Sequence, residues 1–140
     1  MIPKIFKLLF LIFFISNPLF AKSQYLQEGI DLFKSKKYKE AKFKFEKDIV
    51  YNPKSELSYL YLSKIFKSFD EKNLQEQNLN TVILLNPKNE EAIYHLAKLK
   101  LNNSDYQKSK ELNNRLKKIC SKLCDKSEKL KIEIENLSKK

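Results

Sequence analysis

Residues 25–54 read YLQEGIDLFKSKKYKEAKFKFEKDIVYNPK, and their pattern decides the fold. Tyr25, Leu26, Gly29, Leu32 and Phe33 mark one face of a helix. Tyr38, Ala41, Phe45 and Ile49 follow at i, i+3, i+7 and i+11 and mark a second. Asn52-Pro53 then interrupts the pattern, as a turn between helix pairs should.

Moving outward, the stretch repeats. Asn52-Pro53-Lys54 returns as Asn86-Pro87-Lys88, 34 residues on, and Tyr25 returns as Tyr59. Gly29, Ser63 and Ala97 are small residues at the same interval, and Tyr38 and Tyr106 stand two intervals apart. A fixed period of this length is the signature of stacked helix pairs. The second period predicts helices around Tyr59, Leu62 and Phe66, then Leu74, Val82 and Leu85. The third predicts them around Ile93, Leu96, Ala97 and Leu101, then Tyr106, Leu112, Leu116 and Ile119. Ser104 with Gln107 reads as a capping box at the start of the last of these.

Composition agrees. One Gly and four Pro in 140 residues leave few positions for hairpins or phosphate loops. The helix formers Leu, Lys, Glu, Gln and Ala dominate. The class is all-α, in one domain. Gly29 inside a helix costs roughly 1 kcal/mol relative to Ala. That cost points to close packing of the first helix pair, with Gly29 facing Ala41.

The set Tyr25, Gly29, Tyr38, Ala41, Phe45 and Pro53 resembles a tetratricopeptide repeat, a helix–turn–helix unit of this period. The resemblance covers three repeats, about 22–55, 56–89 and 90–121. Gln75 and Ser109 stand where it calls for small residues and Asn113 where it calls for an aromatic, which predicts looser later pairs. A repeat stack needs a terminal cap. Leu130, Ile134 and Leu137 form its stripe, and Asp125 with Glu128 suits its start, which predicts a helix over Lys126–Leu137 within about 126–138.

Residues 1–21 have the layout of a secretory signal peptide: Lys4 and Lys7, an apolar run from Leu8 to Ile15, and Ala21 at the expected cleavage site. The apolar run is short for a membrane span, which takes roughly 20 residues, so an uncleaved anchor is the lesser expectation. Export, to a bacterial periplasm, is the localisation expected. Beyond residue 21 there remain 26 basic and 17 acidic residues, a net charge of about +9. Arg115 is the sole Arg, which argues against nucleic acid as a partner, because Arg is the usual tool of phosphate recognition.

Cys120 and Cys124 are the two cysteines. In an oxidising compartment an even count points to a disulfide, with free buried thiols or a redox or metal role as alternatives. The bond requires the helix to break near Ser121–Leu123. His95 is the lone His, with no identifiable partner for general-base work. No metal motif, nucleophile elbow or phosphate loop is present, so neither enzyme activity, nor a cofactor, nor a metal is expected.

The resemblance implies that the first helix of each pair lines a concave groove. The groove would carry Leu26, Ile30, Phe33, Leu60, Tyr61, Lys64, Lys67, Tyr94, His95, Lys98 and Leu101. The positions of the clamp that some family members use for C-terminal carboxylates hold Leu26, Ile30, Tyr61, Glu91 and His95, so that clamp is absent. The expectation is a periplasmic adaptor or assembly factor that holds a protein or peptide. The alternative is a Lys-mediated binder of an anionic envelope component, a membrane surface or a cell-wall polymer.

Overall fold

The computed structural model describes residues 23–139. The expected signal peptide over residues 1–21 lies outside the described residues. Among the described residues there are seven helices and no strand. They are α1 (Gln24–Lys34), α2 (Tyr38–Tyr51), α3 (Glu56–Ser68), α4 (Lys72–Leu85), α5 (Glu90–Asn102), α6 (Tyr106–Ile119) and α7 (Cys124–Leu137). Successive helices pair as α1/α2, α3/α4 and α5/α6, and α7 closes the stack against α6 and α5.

The period is visible in the backbone. Lys36, Asp70 and Ser104, spaced by 34, take left-handed φ values of 59°, 57° and 61°. Each ends a first helix in the same way. The N–H of Lys37 reaches the carbonyl of Leu32, that of Glu71 reaches Phe66, and that of Asp105 reaches Lys100, all at 2.9 Å. This motif ties off the helix carbonyls and demands a left-handed residue, a role in which Gly is usual. None of the three is Gly. Ser104 is thus the turn residue and not the N-cap that its spacing to Gln107 suggested. Asp105 caps α6, accepting from the N–H of Lys108 at 3.1 Å.

Gly29 is explained by a ring. A Cβ at Gly29 would stand 2.7 Å from Cε1 of Phe45, closer than packed atoms approach. The close partner of Gly29 is therefore Phe45, one turn beyond the Ala41 that the pattern suggested. Phe45 is fully buried. The positions equivalent to Phe45 hold the smaller Leu79 and Asn113, opposite Ser63 and Ala97, which carry a Cβ.

The later pairs are not loose. Gln75, Ser109 and Asn113 are all buried. The Ser109 hydroxyl donates to the Ala97 carbonyl across α6/α5 at 2.9 Å, a contact that needs the helices close together. Asn113 exchanges hydrogen bonds with Ser127 on α7. Buried polar groups are tolerated when their partners are inside with them.

The cap helix starts two residues before the expected Lys126. Leu123 holds the N-cap position, and Asp125 lies in the first turn without capping it. The early start follows from the bond between Cys120 and Cys124, whose Cα atoms are 5.3 Å apart. It folds residues 121–123 into a tight loop that delivers the chain directly into α7. Leu130 and Ile134 are buried in the core of the third pair, and Leu137 packs at its edge.

Candidate functional site

The first helices and the cap, α1, α3, α5 and α7, lie side by side. α1 packs on α3 and α5 on α7. Lys64 of α3 pairs with Glu91 of α5 at 2.7 Å. Contacts between neighbours run along the whole row. The Phe33 ring meets Tyr61 edge-on with centroids 5.0 Å apart, and Tyr61 stacks on Phe45 at the same distance. At the far end Lys98 holds both oxygens of Glu133 on α7, at 2.6 and 2.7 Å.

Four of the eleven expected groove residues are not on this surface. Leu26 and Ile30 are each 7% exposed and Leu60 and Leu101 each 3%. They are core, and a partner cannot reach them. The helices sit close enough that apolar side chains on their flanks are covered by the next repeat. Leu26 and Ile30 cluster with Leu62 and Ile65, while Leu60 and Leu101 cluster with Leu96 and Leu116. Phe33, Tyr61, Lys64, Tyr94, His95 and Lys98 are half-buried along the row, and Lys67 is exposed.

The electrostatics also differ from expectation. Two of the three groove lysines, Lys64 and Lys98, are engaged by Glu91 and Glu133. Glu91 also faces His95, with Nε2 at 3.5 Å. Hydrogen bonds from His95 first, then from Lys64, hold the Glu91 carboxyl at about 2, against the burial that pushes it up. His95 also lies edge-on to Tyr94, with centroids 5.5 Å apart.

At the α5–α7 end the row opens into a hollow of about 580 Å³. Its floor includes Tyr94 and Leu123, and Lys88, Lys122 and Lys126 stand around it. The disulfide loop forms one wall. Glu90, in the first turn of α5, binds that loop. It accepts from the N–H groups of Ser121, Lys122 and Leu123 at 2.8, 3.0 and 2.9 Å, and from the Ser121 hydroxyl at 2.8 Å. The Ser121 N–H leads in holding the Glu90 carboxyl at about 2. Lys126 places its amine 5.5 Å from the Tyr94 ring centroid, a cation–π arrangement.

Sequence reasoning missed Lys88, Glu90, Lys122 and Lys126. They come from a turn, a helix start and a five-residue disulfide loop, where periodicity says nothing about direction. The one available signal was the disulfide itself. A bond between Cys120 and Cys124 forces the intervening N–H groups to one side, where a carboxylate can collect them. Among the described residues, no group of three or more His, Cys, Asp or Glu is placed to hold a metal ion.

Compared by sequence, the chain matches no family model. It matches no curated protein either. Compared by structure, it superposes on the type III secretion chaperone SycD of Yersinia enterocolitica in complex with a peptide of the translocator YopD. The TM-score is 0.74 at 15% identity, over 84% of this chain and 93% of that one. The fold is that of tetratricopeptide repeats. The TPR2B domain of yeast Sti1, solved as a pHsp70 complex, matches with a TM-score of 0.75 at 13% identity, covering 82% of this chain and 99% of that one. The tetratricopeptide domain of Sgt2 from Aspergillus fumigatus matches with 0.70 at 16%, covering 84% and 81%. At these identities the likeness concerns the tetratricopeptide fold. The departures at Gln75, Ser109 and Asn113 are accommodated within it.

Proposed function

We propose that the protein is an exported, non-enzymatic binding module that holds a peptide or an extended protein segment along the α1–α3–α5–α7 row. The observation that carries this reading is the line of half-buried aromatics, Phe33, Tyr61 and Tyr94, on adjacent first helices. Aromatic side chains supply large contact area at low entropy cost and dominate binding hot spots. The reading gains support from two proteins of the same fold, SycD and the Sti1 domain, which were solved with a translocator peptide and as a pHsp70 complex. The signal-like residues 1–21 and the Cys120–Cys124 bond both suit a periplasmic adaptor or assembly factor.

The alternative, an anionic envelope component held by groove lysines, is weakened by the pairing of Lys64 and Lys98 with carboxylates.

The test is crosslinking in cells, with a photoreactive residue installed at Phe33, Tyr61 or Tyr94 and, as control, at the exposed Lys118. Capture of one polypeptide from the three row positions and not from Lys118 is expected. The complex should survive high salt, where the Debye length falls from about 10 Å at 0.1 M to about 3 Å at 1 M. Absence of a captured polypeptide, or equal capture at Lys118, sinks the reading.

A further inference from the structure

We infer that the hollow between α5 and the disulfide loop reads a run of acidic side chains in the partner, through the amines of Lys88, Lys122 and Lys126 arranged around Tyr94. This rests on the peptide-binding reading and specifies where along the row the charge of the partner is recognised.

Two things mark this end as the acid-binding one. First, its lysines are available. Among the described residues, the amines of Lys88, Lys122 and Lys126 have no carboxylate within 4.0 Å, whereas Lys64 and Lys98 each have one at 2.7 Å or less. The two carboxylates that line the hollow are already occupied. Glu90 accepts from three backbone N–H groups and a hydroxyl, and Oε1 of Glu91 is engaged by Lys64 and His95. Neither carboxylate forms an ion pair with any of the three lysines.

Second, the hollow is shaped for more than one carboxylate. Its three lysines come from three separate places: the Asn86–Asn89 turn, the disulfide loop and the first turn of α7. At about 580 Å³ it is the size of an ordinary ligand cleft. A single terminal carboxylate would engage one or two of these amines. Two or three Glu or Asp side chains of an extended segment would engage all three, and an apolar neighbour would lie against Tyr94 and Leu123. Lys122 lines the hollow on a loop that Cys120–Cys124 closes and whose backbone Glu90 gathers.

The probe is the blocked peptide Ac-Glu-Glu-Glu-amide, titrated into the purified oxidised protein and followed by amide NMR shifts. Saturable shifts confined to residues 88–95 and 121–126 are expected. Binding should weaken about tenfold in the K88Q/K122Q/K126Q variant, equivalent to about 1.4 kcal/mol over the three exposed charge contacts together. A variant with the same loss of charge elsewhere, K39Q/K110Q/K118Q, should bind as the parent does. Shifts scattered over the lysine-rich surface, equal weakening in both variants, or no saturable shift would overturn the inference. So would equal binding of Ac-Gln-Gln-Gln with a free C-terminus, which would assign the hollow to a chain end. Failure here is distinct from failure of the binding module itself. A partner crosslinked at Phe33 and Tyr61 whose affinity ignores K88Q/K122Q/K126Q would leave the groove standing and remove the acid site.

Discussion

Asn113 of α6 and Ser127 of α7 exchange two hydrogen bonds. The Asn113 amide donates to the Ser127 carbonyl and accepts from the Ser127 hydroxyl, each at 2.9 Å. Both side chains are buried, at 3% and 1% exposure. The pair links the third repeat to the cap in a place where an aromatic was expected. Asn113→Leu fills similar volume but leaves the Ser127 hydroxyl without its acceptor and the Ser127 carbonyl with its helical bond alone. A loss of about 1–3 kcal/mol in urea denaturation is expected. Ser127→Ala in the same background should recover part of it, because it removes one orphaned group.

Gly29 and Phe45 are coupled by contact. Gly29→Ala improves helix propensity by about 1 kcal/mol, yet its Cβ would stand 2.7 Å from the Phe45 ring. Overpacking of this kind costs roughly 1–3 kcal/mol. The single variant should therefore be neutral to destabilised by about 2 kcal/mol. In the Phe45→Leu background the same change should turn stabilising. A double-mutant cycle on thermal or chemical denaturation measures the sign change, and its absence would mean that the ring simply moves aside.

The three left-handed turn residues store backbone strain. Lys36→Gly and Ser104→Gly each remove a steric cost of roughly 1–2 kcal/mol and return part of it as unfolded-chain entropy. A net gain of about 0.5–1 kcal/mol per site is expected in the denaturation midpoint at unchanged m-value. Asp70→Gly should gain least, since Asp tolerates this conformation better than Lys does.

Acid should release the cap end first. The carboxyls of Glu90 and Glu91 are both held at about 2, below the ordinary 4.5. A lowered carboxylate contributes stability that is fully present above about 4.5 and is lost as pH falls toward 2. Thermal melts from pH 7 to pH 2 should show a fall concentrated below pH 4.5. Glu90→Gln should start lower at pH 7 and fall less. A variant that keeps the full pH dependence of the parent would show that Glu90 does not hold the loop.

Sequence and structure divide in a regular way. The all-α class, the period, the helix pairs and the capping helix were legible because each is a matter of spacing. Apolar residues at 3.6-residue intervals and turns at fixed offsets leave a trace in one dimension. The groove was half legible. Tyr61 and Tyr94 can be assigned to a first helix from their position, but whether Leu60 is covered depends on how closely the next repeat approaches. That distance has no signature in the order of residues. Leu60→Asp would therefore report on folding and not on partner binding.

By itself, then, the sequence determined a tetratricopeptide-like stack, a turn at each Asn-Pro and two cysteines near enough to bond. Only the tertiary structure decided which lysines are free. Lys64, Lys98 and Lys126 look alike in the sequence, each a Lys on a helix in a basic chain. Glu91 and Glu133 reach the first two from neighbouring helices, 27 and 35 residues away. Lys126 finds the face of Tyr94. Charge pairing between helices is a three-dimensional fact, because side chains far apart in the chain meet only after the repeats have packed.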